Sequence, residues 1–369
     1  MPPDMSDQPE KPVIDLQHLR QQIDELDRQL VALLNARAAV VVEVGRTKRA
    51  SGGQVYAPDR EKVVLERVCA LNNGPLPQRT LQAIYREMMS GSFALERPLR
   101  VGYLGPEGSF SHLAAMRKFG GSVEYLPLAD ILAVFDEVAR GHLDLGLAPI
   151  ENSVGGGVID TMDAFVDHDV RVCAEVLVEI HHNLLGNCAP DEITMIASKP
   201  EVFAQCRRWL SGNFRKVDLI PVASSAKAAE MAQQQNHLAA IGSTLAAELY
   251  NLKIIFASIE DSPNNLTRFF VISRQTSPPT GNDKTTLMFT TAHKAGALAE
   301  VLNVLAANGV NMTNIDTRPS KRRNWEYYFF VDCDGHIQQE HVAKAVQEAR
   351  PHCLELHVLG SYPKAAEPV

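Results

Sequence analysis

A chain of 369 residues, 45% of them apolar, has material for two or three domains, each with its own core. Its formal net charge of −8 excludes the broad basic field that a nucleic-acid or anionic-membrane surface requires, so an anionic ligand must be met by local cations. No apolar run reaches the roughly 18 residues of a membrane span, and the six cysteines (Cys69, Cys173, Cys188, Cys206, Cys333 and Cys353) show neither CxxC pairing nor grouping with histidine. Reduced thiols in a cytoplasmic protein are therefore expected. His181 and His182 lack metal-site spacing and read as a strand end, so no metal is expected.

Residues 1–13 read as a disordered tail rather than a signal peptide. Residues 14–97 are helical by pattern. Leu16, Leu19, Ile23, Leu26, Leu30, Leu33, Val40 and Val44 keep a 3,4 spacing that only Arg37 interrupts. The spacing predicts one helix from about Ile14 to about Arg49, on the order of 50 Å long, stopped by Gly52 and Gly53. A helix of that length has too little of its own chain to lean on, so a partner copy is expected to cover it. Arg37 in the seam requires an anion, either a ligand or an internal carboxylate such as Glu61, and Lys48 lies three turns further along the same face. A second helix is predicted from the cap residue Asp59. A third carries Leu81, Tyr85, Met88, Ser92 and Glu96 on one stripe.

Residues 99–275 alternate short apolar runs with helical stretches, which predicts an α/β region of two lobes with mostly parallel sheets. Seven runs stand out: "RVGYLG", "VEYLPL", "LDLGLAPI", "ITMIAS", "LIPVAS", "LAAIGS" and "RFFVIS", the last returning to the first lobe. Several end in polar or glycine-rich loops carrying Ser109, Ser111, Glu151, Asn152, Ser198, Ser224 and Ser225. Ligands of open α/β sheets bind beyond such strand ends. In "PNNLTRFFVI" (263–272), Asn265, Thr267 and Arg268 stand at the mouth of an apolar strand. Either this is a polar turn with Arg268 reaching water, or the strand end faces a cleft. Residues 276–284 form a Pro/Gly linker, and 285–363 follow the order βαββαβ of a ferredoxin-like α+β domain.

These residues carry a family resemblance. Arg20, Arg37, Lys48, Asp59-Arg60-Glu61, Ser92 and Glu96 resemble the all-helical chorismate mutases. "GPEGSFS", "PIENS", Ser198 with Gln205, and "NLTRFF" resemble the prephenate dehydratases. "GALAEVL" and "IDTRP" look like an ACT regulatory domain, and the order matches the bifunctional chorismate mutase–prephenate dehydratases of phenylalanine biosynthesis. The departures are Ala57 where the mutases often carry Asp, Ser109 for a common Thr, and Asp316-Thr317 for the usual Glu-Ser.

The resemblance implies chorismate and prephenate as substrates, L-phenylalanine as feedback effector, no cofactor, and a homodimer or a higher assembly. It implies that Arg20 (from the partner chain), Arg37 and Arg60 hold chorismate carboxylates, that Lys48 and Glu96 grip the ether oxygen, that Glu61 takes the hydroxyl, and that Ser92 adds a polar contact. Thr267 is the dehydratase threonine, accompanied by Glu151 as proton donor or orienter, Asn152, Ser198, Gln205 and Arg268. Ser109, Ser111, Ser224, Ser225 and Asn265 are expected to bind prephenate. Gly296, Ala297, Leu298, Asn311, Asp316, Thr317, Arg318 and Pro319 are expected to line the phenylalanine site. The rival from a different class is a two-lobed ligand-binding or sensing protein with an amino-acid-responsive tail.

Overall fold

The computed structural model describes residues 15–51, 56–320, 326–365 and 367–368. The expected tail, and Gly52 and Gly53 at the expected helix stop, lie outside the described residues. The chain divides into two compact units. One carries the first helix and Leu95–Arg97; the other carries Tyr56–Ala94 and the chain from Pro98 onward.

Helix α1 (Leu16–Ser51) runs 36 residues, about 54 Å at 1.5 Å per residue. Its seam side chains are 40–69% exposed from Leu16 to Val44. A long amphipathic helix takes most of its stability from packing that face, and among the described residues the face is exposed. Helix α2 (Pro58–Ala70) begins one residue before the expected cap, Asp59: Ala57 is the N-cap, makes no side-chain bond, and is followed by proline. Proline suits the first helical position because its fixed φ fits and its missing N–H would have no partner there. Helix α3 spans Gln78–Glu96.

The middle region has two sheets. The first lobe contains β1 (Arg100–Leu104), α4 (Phe110–Phe119), β2 (Glu124–Leu128), α5 (Ile131–Ala139), β3 (Leu145–Asn152), the short β4 (Gly156–Gly157), α6 (Ile159–Asp167) and β5 (Arg171–Glu179). The second contains β6 (Asn183–Gly186), β7 (Met195–Ser198), α7 (Pro200–Gln205), α8 (Arg207–Asn213), β8 (Asp218–Pro221), α9 (Ser225–Gln234), β9 (Leu238–Gly242), α10 (Thr244–Leu249) and β10 (Lys253–Phe256). Strand β11 (Leu266–Ser273) then returns to the first lobe, as expected, giving the orders β2-β1-β3-β11-β5 and β10-β6-β9-β7-β8.

Both sheets are mixed rather than mostly parallel. β11 runs antiparallel to β3 and β5, and β6 runs antiparallel to β9 and β10. The reason is that the chain crosses between lobes twice, and the strands beside the crossings are not joined by helices. The same fact hid β5, β6 and β10 from a reading based on strand–helix alternation. The two crossings are bonded to each other: Ile180 N–H donates to Asn265 O at 2.8 Å and Ile259 N–H to His182 O at 2.8 Å.

The last region is β12 (Asp283–Thr290), α11 (Ala297–Ala307), β13 (Met312–Pro319), β14 (Tyr327–Asp334), α12 (Glu340–Ala349) and β15 (Glu355–Pro363). This is the expected βαββαβ order, in a sheet β13-β14-β12-β15. Alternation along β12 sends Leu287 and Phe289 toward α11 and α12, and Met288 the other way. On that other face Met288, Tyr328, Phe330, Leu359 and Tyr362 share one core with Val134, Phe165, Phe270 and Ile272 of the first lobe. Strand β12 is thus buried on both faces, while alternate residues of the edge strand β13 are exposed.

Candidate active sites

The mouth of β11 answers the question its sequence poses. Thr267 and Arg268 are neighbours on a strand and so point to opposite faces. Register pairs Thr267 with Asn152 and Arg268 with Glu151, and each pair shares a face.

On the Thr267 face, Asn152 Nδ2 donates to Thr267 Oγ1 at 2.8 Å and to Asn265 Oδ1 at 2.8 Å. The orientation of the Asn152 amide is fixed because its Oδ1 accepts from the backbone N–H groups of Val154 (3.0 Å) and Gly155 (2.8 Å). Asn265 Nδ2 in turn donates to Gln205 Oε1 at 3.1 Å, and His182 Nε2 reaches the same oxygen at 2.6 Å. An oxygen already accepting from Asn265 makes His182 Nε2 a donor. Its Nδ1 is buried and has no partner among the described residues. Burial lowers the His182 pKa, which keeps it neutral.

This chain of amides has a chemical consequence. Thr267 Oγ1 is occupied as an acceptor, and among the described residues it has no other partner, so its O–H is left to donate. Gln205 Oε1 accepts twice, so its NH₂ is left to donate as well. Two neutral donors remain at the junction of the lobes, where ligand sites commonly lie. His182 was not among the expected residues; its one sequence signal, the His181-His182 pair, lacks any spacing that implies a role.

Other expected members go elsewhere. Glu151 lies on the Arg268 face, 3.9 Å from Arg268 Nη1. That is the wrong side of the sheet for a proton donor beside Thr267. Arg268 does not reach water or a cleft. It is buried, its Nε bonded to Glu175 Oε2 at 2.7 Å, its Nη2 to Tyr362 Oη at 3.0 Å, and its Nη1 to Asp332. Burial by itself would lower the Arg268 pKa, but Tyr362, Asp332 and Glu175 outweigh it and the net shift is upward.

Ser198 is fully buried and donates to Ile241 O at 3.0 Å, tying β7 to β9. Ser109 and Ser224 are N-caps, accepting from His112 N–H (3.2 Å) and Lys227 N–H (3.0 Å). Ser111 and Ser225 are the buried residues just inside the same two helices, α4 and α9. Their types suit a turn-and-cap role as well as a ligand, which is why sequence alone does not separate the two.

In the unit carrying α1, Lys48 Nζ lies 3.2 Å from Glu96 Oε2, with the Glu96 side chain only 10% exposed. Gly45 makes room for it: a Cβ there would stand 3.0 Å from Glu96 Cγ. Arg20 is exposed on α1 and Arg37 is half-buried. In the other unit, Arg60 is exposed and Ser92 Oγ donates to Met88 O at 2.8 Å. Glu61 is held through one oxygen, Oε2, by Lys118 Nζ at 2.9 Å and Tyr56 Oη at 3.1 Å. Lys118, on α4 of the first lobe, is a partner that the helical pattern does not announce.

In the last region, Gly296 caps α11 with a left-handed φ of 82°, which glycine tolerates, and Ala297 and Leu298 open the helix. Asn311 Nδ2 donates to Asp334 Oδ2 at 2.7 Å. Asp316 Oδ1 accepts from Thr317 N–H at 2.8 Å, and the Asp316 carboxylate lies against Gly157 of β4, where any Cβ would collide with it. Arg318, expected to line an effector site beside Pro319, instead makes a bidentate pair with Asp163 of α6 at 2.7 and 2.8 Å. That bond, the largest cause, raises its pKa.

Three family models match in succession: "Chorismate mutase type II" at residues 19–97, "Prephenate dehydratase" at 101–277 and "ACT domain" at 285–351. A bifunctional chorismate mutase/prephenate dehydratase of Stutzerimonas stutzeri is 43% identical over 95% of this chain and 98% of its own length, and one of Aquifex aeolicus is 39% identical over 95% and 98%. Among solved structures, a prephenate dehydratase from Arthrobacter aurescens in complex with L-Phe has a TM-score of 0.68 at 32% identity, covering 73% of this chain and 92% of that one. These matches support the enzyme reading and not the two-lobed sensor. The chain belongs to the bifunctional chorismate mutase/prephenate dehydratase family.

Proposed function

We propose that the chain converts chorismate to prephenate through its helical region and prephenate to phenylpyruvate through its two-lobed region, under inhibition by L-phenylalanine. The observation that carries the second activity is the amide chain that leaves the Thr267 hydroxyl as a free donor at the lobe junction. In prephenate the bond to the ring carboxylate breaks, its electron pair enters the ring, and the ring hydroxyl departs as the ring becomes aromatic. Thr267 donates a hydrogen bond to that departing oxygen, with the Gln205 NH₂ as a second donor. The test supplies chorismate with no added cofactor and follows phenylpyruvate. Prephenate accumulating without phenylpyruvate would refute the second activity, and chorismate left unchanged would refute the first.

For the mutase step we place Lys48 and Glu96 at the ether oxygen, and Arg20 and Arg37 at the carboxylates. An ether oxygen accepts and an amide NH₂ donates, so Glu96→Gln, a permanent donor, should keep most of the mutase turnover, whereas Glu96→Ala should lose about 100-fold. Equal losses in the Gln and Ala variants would remove Glu96 from this role.

The exposed seam of α1 supports a homodimer in which two copies of this helix cover each other. Six free cysteines support a cytoplasmic setting, and among the described residues no helix is long and apolar enough to cross a membrane. L-Phenylalanine is placed at the N-terminus of α11, its carboxylate on the backbone N–H groups near Gly296–Leu298, with Asn311, Asp316, Thr317 and Pro319 around it. Linkage then requires prephenate and phenylalanine to weaken each other's binding by one common factor. Calorimetry with and without a dehydratase-site analogue reads that factor. No phenylalanine binding at millimolar concentration would leave the region a scaffold.

A further inference from the structure

Arg268 stands one residue from Thr267, and on the opposite face two of its partners, Asp332 and Tyr362, belong to the regulatory sheet, while Glu175 and Glu151 belong to the first lobe. Asp332 lies on β14 and Tyr362 on β15. Thr286 on β12 bonds both Asp332 Oδ1 and Tyr362 Oη, each at 2.6 Å. Lys284 on β12 reaches Glu175 Oε2 at 3.1 Å. The cluster sets Arg268 and Lys284 against Glu175 and Asp332, with the more exposed Glu151 at its edge, and the Glu175, Asp332 and Arg268 side chains are 1%, 5% and 8% exposed. Around it the fit is close. The Tyr362 ring meets Phe270 edge-on at 5.7 Å, and a Cβ on Gly360 would collide with the Val172 carbonyl of β5. Holding two domains together needs no buried charge, because apolar side chains of equal volume serve as well or better. What directional charged bonds add is one defined placement.

We infer that Asp332 and Tyr362 are positioning residues for the dehydratase: through Arg268 they fix β11 so that the Thr267 hydroxyl stays seated against Asn152. The regulatory sheet is then part of the catalytic scaffold. This rests on the reading of Thr267 as leaving-group donor, and the two fail separately.

The experiment compares full-length Tyr362→Phe and Asp332→Asn with the parent, with mutase activity as internal control. Asp332→Asn should lower dehydratase kcat about 10-fold and Tyr362→Phe a few-fold, the scale of a sub-ångström misplacement of a reacting group. KM for prephenate and mutase turnover should stay within about twofold of the parent by the same reasoning. Combining Asp332→Asn with Thr267→Ala should cost no more than Thr267→Ala alone, since both act on one hydroxyl. Additive losses in that double variant, or a parental kcat in Tyr362→Phe, overturn the inference. Should Asp332→Asn fail to fold and lose mutase activity too, Tyr362→Phe, which keeps the packed ring, decides alone. Full dehydratase activity in Thr267→Ala would instead refute the reading beneath it.

Discussion

Replacing Thr267 by Ala should lower dehydratase turnover by about 100-fold, roughly 2.7 kcal/mol of barrier, the scale of removing one preorganised donor from an oxyanion-type site. Among the described residues the hydroxyl is occupied only as an acceptor from Asn152, so its proton is the group lost. Thr267→Val, which keeps the branched shape, should lose as much, while Thr267→Ser should keep most of the rate. Mutase activity should remain within about twofold in all three, because the donor acts only at the other site. Steady-state assays of both reactions on one preparation give the answer. Parental dehydratase rates in Ala and Val would reduce Thr267 to a turn residue.

Mixing an Arg20→Ala chain with an Arg37→Ala chain should restore mutase activity that neither has alone. Both arginines lie on α1, one continuous helix, about 25 Å apart at 1.5 Å per residue. A substrate of chorismate's size does not span that distance, so a site using both must take one from each of two chains. Either single variant should lose two or more orders of magnitude, since each leaves a substrate carboxylate without its cation. In a two-fold dimer with random exchange, half the dimers are hybrids and each has one intact site of two, so about a quarter of parental activity should return. Exchange is followed by tagging one chain. Mixtures that exchange yet stay at the sum of the parents would place each site within one chain.

The sequence by itself determined the three regions, the βαββαβ order and the return of β11, because each follows from local periodicity and strand-end chemistry. It also marked Thr267, Asn152 and Asn265 as candidates, since polar residues at the mouths of apolar strands are visible without a fold, whereas Gln205, in α7, was marked only by the family resemblance. What tertiary structure decided is which groups face one another. Strand alternation put Glu151 and Arg268 on the face away from Thr267. The mixed sheets arose from two lobe crossings that no helix announces. His182 joined the amide chain only because those crossings bring it to Gln205. Lys118 meets Glu61 and Arg318 meets Asp163 across 57 and 155 positions of chain. A side chain's partner depends on the path of a distant segment, whereas its periodicity depends on its neighbours. That is why the elements and donor residues could be read from the sequence, and the partners that orient or occupy them could not.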